Sequence, residues 1–119
     1  MSDAAVGSLV LPDPEDQKLI TLARATLARN GSLQGASVRD NDGRVYAGAR
    51  VDLEHLTLSA VAVAVAMAVS SGATALEAAA VAGMPPSEQD FDVLRDLSGS
   101  NVAVWSVDSA GKVLEVSKL

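Results

Sequence analysis

The stretch from Leu56 to Leu76 carries no charged side chain, in a chain of which 20% is charged. No other feature limits the possible folds so strongly. Its Ala-Val alternation has the period of a strand. The segment Glu54 to Ser71, however, runs without a turn signal and far exceeds a typical strand of about five or six residues. Alanine, leucine and methionine favour a helix there, and Gly72 ends it. A membrane span needs about 20 strongly apolar residues. This run is mostly alanine and valine, broken by Ser59, Ser70, Ser71, Gly72 and Thr74, so hydropathy favours a buried core helix. A helix that is apolar all round belongs in the middle of a fold. The rest of the chain must therefore supply surfaces on more than one side of it.

Those surfaces are legible. Pro14 opens a first helix, with Glu15 and Asp16 at the positive end of its dipole. Leu19, Ile20, Leu22, Ala23, Thr26 and Leu27 follow at helical spacing, and Asn30-Gly31 is a stop. Leu33 to Arg39 and Arg44 to Asp52 flank Asp40-Asn41-Asp42-Gly43 and predict a β-hairpin, with Val45, Ala47, Ala49 and Val51 facing inward. Leu76 to Ala82 reads as a buried strand. Ser87 is placed to cap a helix over Glu88 to Leu97, with Glu88 and Asp90 in its first turn. Asn101 to Val107 is a strand, and Asp108-Ser109-Ala110-Gly111 turns it antiparallel into Lys112 to Val116. The expected order is α-β-β-α-β-α-β-β. Residues 1–13 are expected to be a flexible tail, and 14–119 a single domain.

Charge and composition remove several function classes. With 15 acidic side chains against 9 basic ones, the net charge is −6, and the arginines are scattered rather than clustered. Nucleic acid is therefore not expected as a partner. There is no cysteine, hence no disulfide framework, thiolate metal site or thiol nucleophile. The single histidine, His55, lacks the companions of a metal cluster and reads as a surface or structural residue. Glu88, Asp90 and Asp92 read as dipole partners rather than a hard-cation site. Ser87 has no basic neighbour and reads as a cap rather than a nucleophile. Gly35, Gly43 and Gly48 lack the spacing of a phosphate loop. Met1 to Leu11 has no basic leader segment and includes Asp3, so a cytoplasmic setting is expected. Trp105 alternates outward from Val102 and Val104, either into a subunit contact or as a cap on the core.

From about Asp16 to Leu119, this order and the segments Gly35-Ala36, Asp42-Gly43-Arg44-Val45-Tyr46 and Ala47-Gly48 resemble the free-nucleoside cytidine deaminase family. The resemblance implies an α/β fold, a three-layer α/β/α sandwich around a mixed five-stranded sheet. It also implies a homo-oligomer, dimer or tetramer, and an unusually apolar small chain has surface to hide. The family's ribose-holding Asn-x-Glu falls on Arg50-Val51-Asp52, and its stacking Phe on Ser32. Its Cys-Ala-Glu falls on Val61-Ala62-Val63, and its Pro-Cys-x-x-Cys on Pro86-Ser87-Glu88-Gln89-Asp90. Zinc deaminases use the metal to make hydroxide and a glutamate to carry protons, and valine offers neither lone pair nor proton. Val61, Val63, Ser87 and Asp90 are thus degenerate positions, with no metal, no cofactor and no enzymatic activity expected. Val61 and Val63 would fill core, stabilising by roughly 1.5–3 kcal/mol each. The expected function is a non-catalytic assembly or interaction module with an unidentified protein partner. The alternative is a binder of a nucleoside- or nucleotide-type molecule through Arg50 and Asp52, and a residual or metal-free enzyme comes third. Arg50 is either a solvent-facing strand residue or a guanidinium placed to hold a phosphate or carboxylate.

Overall fold

Helix α1 (Pro14–Asn30) begins and ends where its caps dictate. The Asp13 carboxylate accepts the Asp16 N–H at 2.8 Å, and Pro14 gives up no intrahelical donor at that position. Gly31, at φ +56°, turns the chain left-handed so that its N–H reaches the Ala28 carbonyl. The structure, a computed structural model, describes residues 11–119. The tail expected over residues 1–13 lies, as far as residue 10, outside the described residues.

The chain continues through β1 (Gln34–Asp40), β2 (Val45–Ala49), β3 (Val51–Asp52), β4 (Thr57–Leu58) and helix α2 (Ala60–Ser70). It then forms β5 (Leu76–Gly83), helix α3 (Glu88–Leu97), β6 (Ser98–Val107) and β7 (Val113–Lys118). Five strands make one mixed sheet in the order β2-β1-β5-β6-β7, while β3 and β4 form a separate two-stranded ribbon. Only β5 and β6 run parallel, joined across α3; the other pairs are antiparallel. On one face α1 sets Leu19, Ile20, Ala23 and Leu27 on Ala78, Ala80, Ala82 and Trp105. On the other, Val61, Ala64, Val65 and Ala68 of α2 and Leu94 of α3 cover Ala36, Val38, Ala79, Val81 and Val104. This is the expected three-layer sandwich. Among the described residues, no helix is long and apolar enough to cross a membrane.

Two expectations need correction. The central helix starts at Ala60 rather than Glu54, because Ser59 caps it by accepting the Ala62 N–H at 3.0 Å. The preceding residues instead pair across the ribbon, Val51 with Leu58 and Asp52 with Thr57. Strand β2 also shows the opposite face to the core. Val45 is 44% exposed, whereas Gly48 is buried and Tyr46 half-buried against the α2 side. Glycine at position 48 lets α2 come close, since a Cβ there would overlap the Val63 side chain.

The β1–β2 turn is built on Asp40. Its buried carboxylate accepts the N–H groups of Asp42 and Arg44 at 2.9 Å each and the Tyr46 hydroxyl at 3.1 Å. The Arg44 guanidinium lies 3.4 Å away. Burial pushes this carboxyl up, but the donors and the cation outweigh it and hold it below its ordinary range. A lowered folded-state pKa contributes stability above the unfolded value, about 3.9, that disappears as pH falls through the folded value. The wild-type Tm is therefore expected to drop steeply below about pH 4. Asp40→Asn should melt lower at neutral pH and show a flatter acid limb, as read by calorimetry across that range.

Candidate functional site

Two helix starts and one strand start converge beside the ribbon. Ser59, the cap of α2, donates its hydroxyl to Asp90 Oδ1 at 2.6 Å. Asp90 sits in the first turn of α3 and accepts the Ser87 N–H on Oδ2 at 3.0 Å, while Ser87 Oγ accepts the Asp90 N–H at 3.1 Å. That reciprocal pair is a capping box, so one buried carboxylate ties both helices together. Gln34, the first residue of β1, completes the frame. Its Oε1 accepts the Ala60 N–H at 3.1 Å, and its Nε2 donates to the carbonyls of Met84 at 2.9 Å and Pro85 at 3.4 Å. Apart from the capping box itself, these contacts join segments distant in sequence.

Between this frame and the ribbon lies a cleft with two lobes, each of about 230 Å³. Thr57, Leu58, Ser59, Ser87 and Asp90 line both. The first lobe adds Ala62, Gln89 and Val93; the second adds Gln34, Arg50, Met84 and Pro85. The lining thus combines an apolar floor with hydroxyls, one carboxylate and one guanidinium, and two helix N-termini point their positive dipole ends toward it. A small polar molecule with a flat apolar part suits such a lining.

The structure brings Ser87, Asp90 and Arg50 together at the cleft and leaves the other candidates elsewhere. Val61 is 1% exposed, inside the core under α2. Val63 is half-buried and packs toward Gly48, and neither valine lines a lobe. The Asp52 carboxylate is 67% exposed, outside both lobes, and lies 3.7 Å from the Arg50 guanidinium. His55 is exposed on the ribbon, 3.4 Å from Glu54. Trp105 caps the core, with its Nε1 donating to Asp16 at 2.9 Å. Sequence reasoning missed Gln34, Thr57 and Ser59. Ser59 carried a signal, a serine directly before an apolar helix, and Ser87-x-x-Asp90 had the spacing of the capping box. Gln34 carried none.

The donor chemistry does not fit the zinc ion that the resemblance implies. Zinc takes about four nitrogen, sulfur or oxygen ligands. Val61 has no donor, Ser87 and Asp90 use their oxygens on caps and on Ser59, and His55 points away on the ribbon. Among the described residues, no three His, Cys, Asp or Glu gather as a metal site.

A family model described as cytidine deaminase-like matches residues 12–111. No curated protein matches the chain by sequence. Among solved structures, a cytidine deaminase from Burkholderia pseudomallei is 26% identical with a TM-score of 0.73, over 85% of this chain and 90% of that one. A cytidine deaminase from Mycobacterium tuberculosis is 26% identical with a TM-score of 0.67, over 77% and 85%. One from Mycobacterium leprae shares the fold at a TM-score of 0.69 and 20% identity, over 89% and 94%. These findings correct the expectation that the chain is not an enzyme, because the proteins it resembles are enzymes. That expectation rested on valines standing where the family's zinc ligand and proton-carrying glutamate fall, Val61 and Val63. It took no account of a cleft that keeps a carboxylate and two hydroxyls at the starts of α2 and α3.

Proposed function

The chain belongs to the cytidine deaminase-like family, and from that premise we propose that it binds a pyrimidine nucleoside-type molecule in the two-lobed cleft. The cleft itself is the observation that carries this reading: about 230 Å³ per lobe, with Leu58, Ala62 and Val93 beside the hydroxyls of Thr57, Ser59 and Ser87. The first lobe is assigned to the base and sugar, and the solved relatives are named for cytidine. Thermal melts with cytidine, uridine and adenosine provide the test. A ligand at a hundredfold its Kd stabilises by about 2.7 kcal/mol, expected as a Tm rise of several degrees. Ala62→Phe, which fills the first lobe, should abolish it. No shift with any nucleoside at millimolar concentration would sink the reading. Ammonia release measured on the same samples reads whether chemistry accompanies binding.

A homo-oligomer is part of the same proposal. Met67 and Val69 of α2 are 43% and 52% exposed, and Leu53 and Leu56 on the ribbon are 63% and 48% exposed. Apolar surface of this kind on a small chain is favourable to cover. Light scattering that finds only monomer at micromolar concentration counts against it.

A further inference from the structure

We propose that the cleft selects a phosphorylated nucleoside, a nucleoside monophosphate rather than the neutral nucleoside, with Arg50 holding the phosphate. This rests on the nucleoside reading of the cleft and specifies its substrate class. Arg50 occupies the break between β2 and β3, where its backbone N–H donates to the Gln34 carbonyl at 3.2 Å. That bond fixes the base of the side chain against the rigid frame of the site. Arg50 lines the second lobe beside Thr57, Ser59, Met84 and Pro85.

Its charge is poorly matched inside the protein. Arg39 and Arg44 each make side-chain hydrogen bonds to carboxylates at 2.9–3.0 Å. Arg50 reaches only Asp52, at 3.7 Å, too far for a hydrogen bond, and the Asp52 side chain is 67% exposed. Among the described residues, the Arg50 guanidinium makes no hydrogen bond. It therefore keeps a planar fork of N–H donors, the geometry that takes a phosphate through two oxygens at once. Two carboxylates oppose an incoming anion. Asp52 is held only by a weak, solvent-exposed ion pair and can swing aside. Asp90 is saturated by Ser59 and Ser87, at 2.6 and 3.0 Å, and stands at the positive ends of two helices, which offset its charge. With base and sugar in the first lobe, a 5′-phosphate falls in the second. A neutral nucleoside would leave the cation with no new partner.

Isothermal titration of the full chain with cytidine monophosphate, cytidine and inorganic phosphate tests this. The monophosphate is expected to bind at least about tenfold tighter than cytidine, as one charge-assisted bidentate contact provides. Arg50→Ala should bring the monophosphate down to the affinity the unaltered chain shows for cytidine, and Arg50→Lys should keep part of the preference. Asp52→Asn, by removing the competing carboxylate, should tighten the monophosphate severalfold. Equal affinities for the two pyrimidine ligands would overturn the phosphate inference and leave the nucleoside reading standing. So would a preference that survives in a folded Arg50→Ala chain. Binding of inorganic phosphate alone, dependent on Arg50 and with neither pyrimidine ligand bound, would overturn both the nucleoside reading and the monophosphate assignment.

Discussion

Gly35→Ala is expected to be among the most damaging single methyl groups that can be added to this protein. Gly35 sits in β1 directly beneath α1. A Cβ there would collide with the Ala23 carbonyl oxygen and lie 2.8 Å from the Leu27 nitrogen and 3.0 Å from its Cβ. The first two are helix backbone atoms, which cannot rotate away as a side-chain tip does. Relief requires lifting α1 off the sheet, which opens the contacts of Leu19, Ile20 and Leu27 with the alanine floor of β5. Over-packing usually costs about 1–3 kcal/mol. A clash with backbone belongs at or above the top of that range, against a total stability of about 5–15 kcal/mol. We expect a loss of about 3 kcal/mol or more and a Tm lower by over about 10 °C. Trp105 fluorescence in thermal melts is the readout, since the indole lies under α1. Gly99→Ala is the control. Its nearest neighbour would be the Leu76 carbonyl at 3.6 Å, an ordinary contact, and a small change is expected.

Asp16→Ala comes next. Asp16 Oδ2 accepts the Trp105 indole N–H and Oδ1 accepts an Arg39 Nη2 hydrogen, both at 2.9 Å. The ionic partners are only 11% and 15% exposed. Removing the carboxylate strands an indole donor and a largely buried guanidinium whose Nη1 already has no partner. Breaking a buried pair from one side costs about 3–5 kcal/mol. Glu77, 48% exposed, still holds Arg39 Nε at 3.0 Å, so the lower end, about 3 kcal/mol, is expected. Urea denaturation should show it as a lower midpoint at unchanged slope. Asp16→Ala combined with Arg39→Met should recover much of the loss, because apolar replacement of a whole buried pair is often neutral. Failure of the double variant to recover would show that the indole bond, rather than the ion pair, carries the effect.

Local chemistry made much of this fold legible. Pro14 and Gly31 bound α1, Asp40 to Gly43 make the hairpin turn, and Ser87 caps α3 because each signal acts within about one turn of chain. The errors fell where a distant neighbour decides. Alternating alanine and valine continue a helical reading backward through Thr57, while the chain there pairs with Val51 and Asp52. The inward face of β2 is chosen by α2, which seats on Gly48 rather than on Val45. The candidate site was half visible. Ser87, Asp90 and Arg50 stood out by aligning with a known motif. Gln34 binds residues 26 and 50 positions away, and Asp90 meets Ser59 across 31. No window of neighbouring residues contains those pairings.

The strand order carries a consequence for how the polypeptide is made. The middle strand of the sheet, β5, is the third of the five to leave the ribosome, and it supplies floor to both faces through Ala78, Ala80 and Ala82 on one side and Ala79 and Val81 on the other. Until it emerges, the uncharged segment that becomes α2 has only the β1–β2 hairpin to lie on, and α1 lacks the alanine floor of Ala78, Ala80 and Ala82. The nascent first half is a sticky, unfinished hairpin, exposed to chaperones and proteases. Completion of both cores must wait for residue 83, and a fragment ending before Leu76 is expected to lack the strand that both cores share.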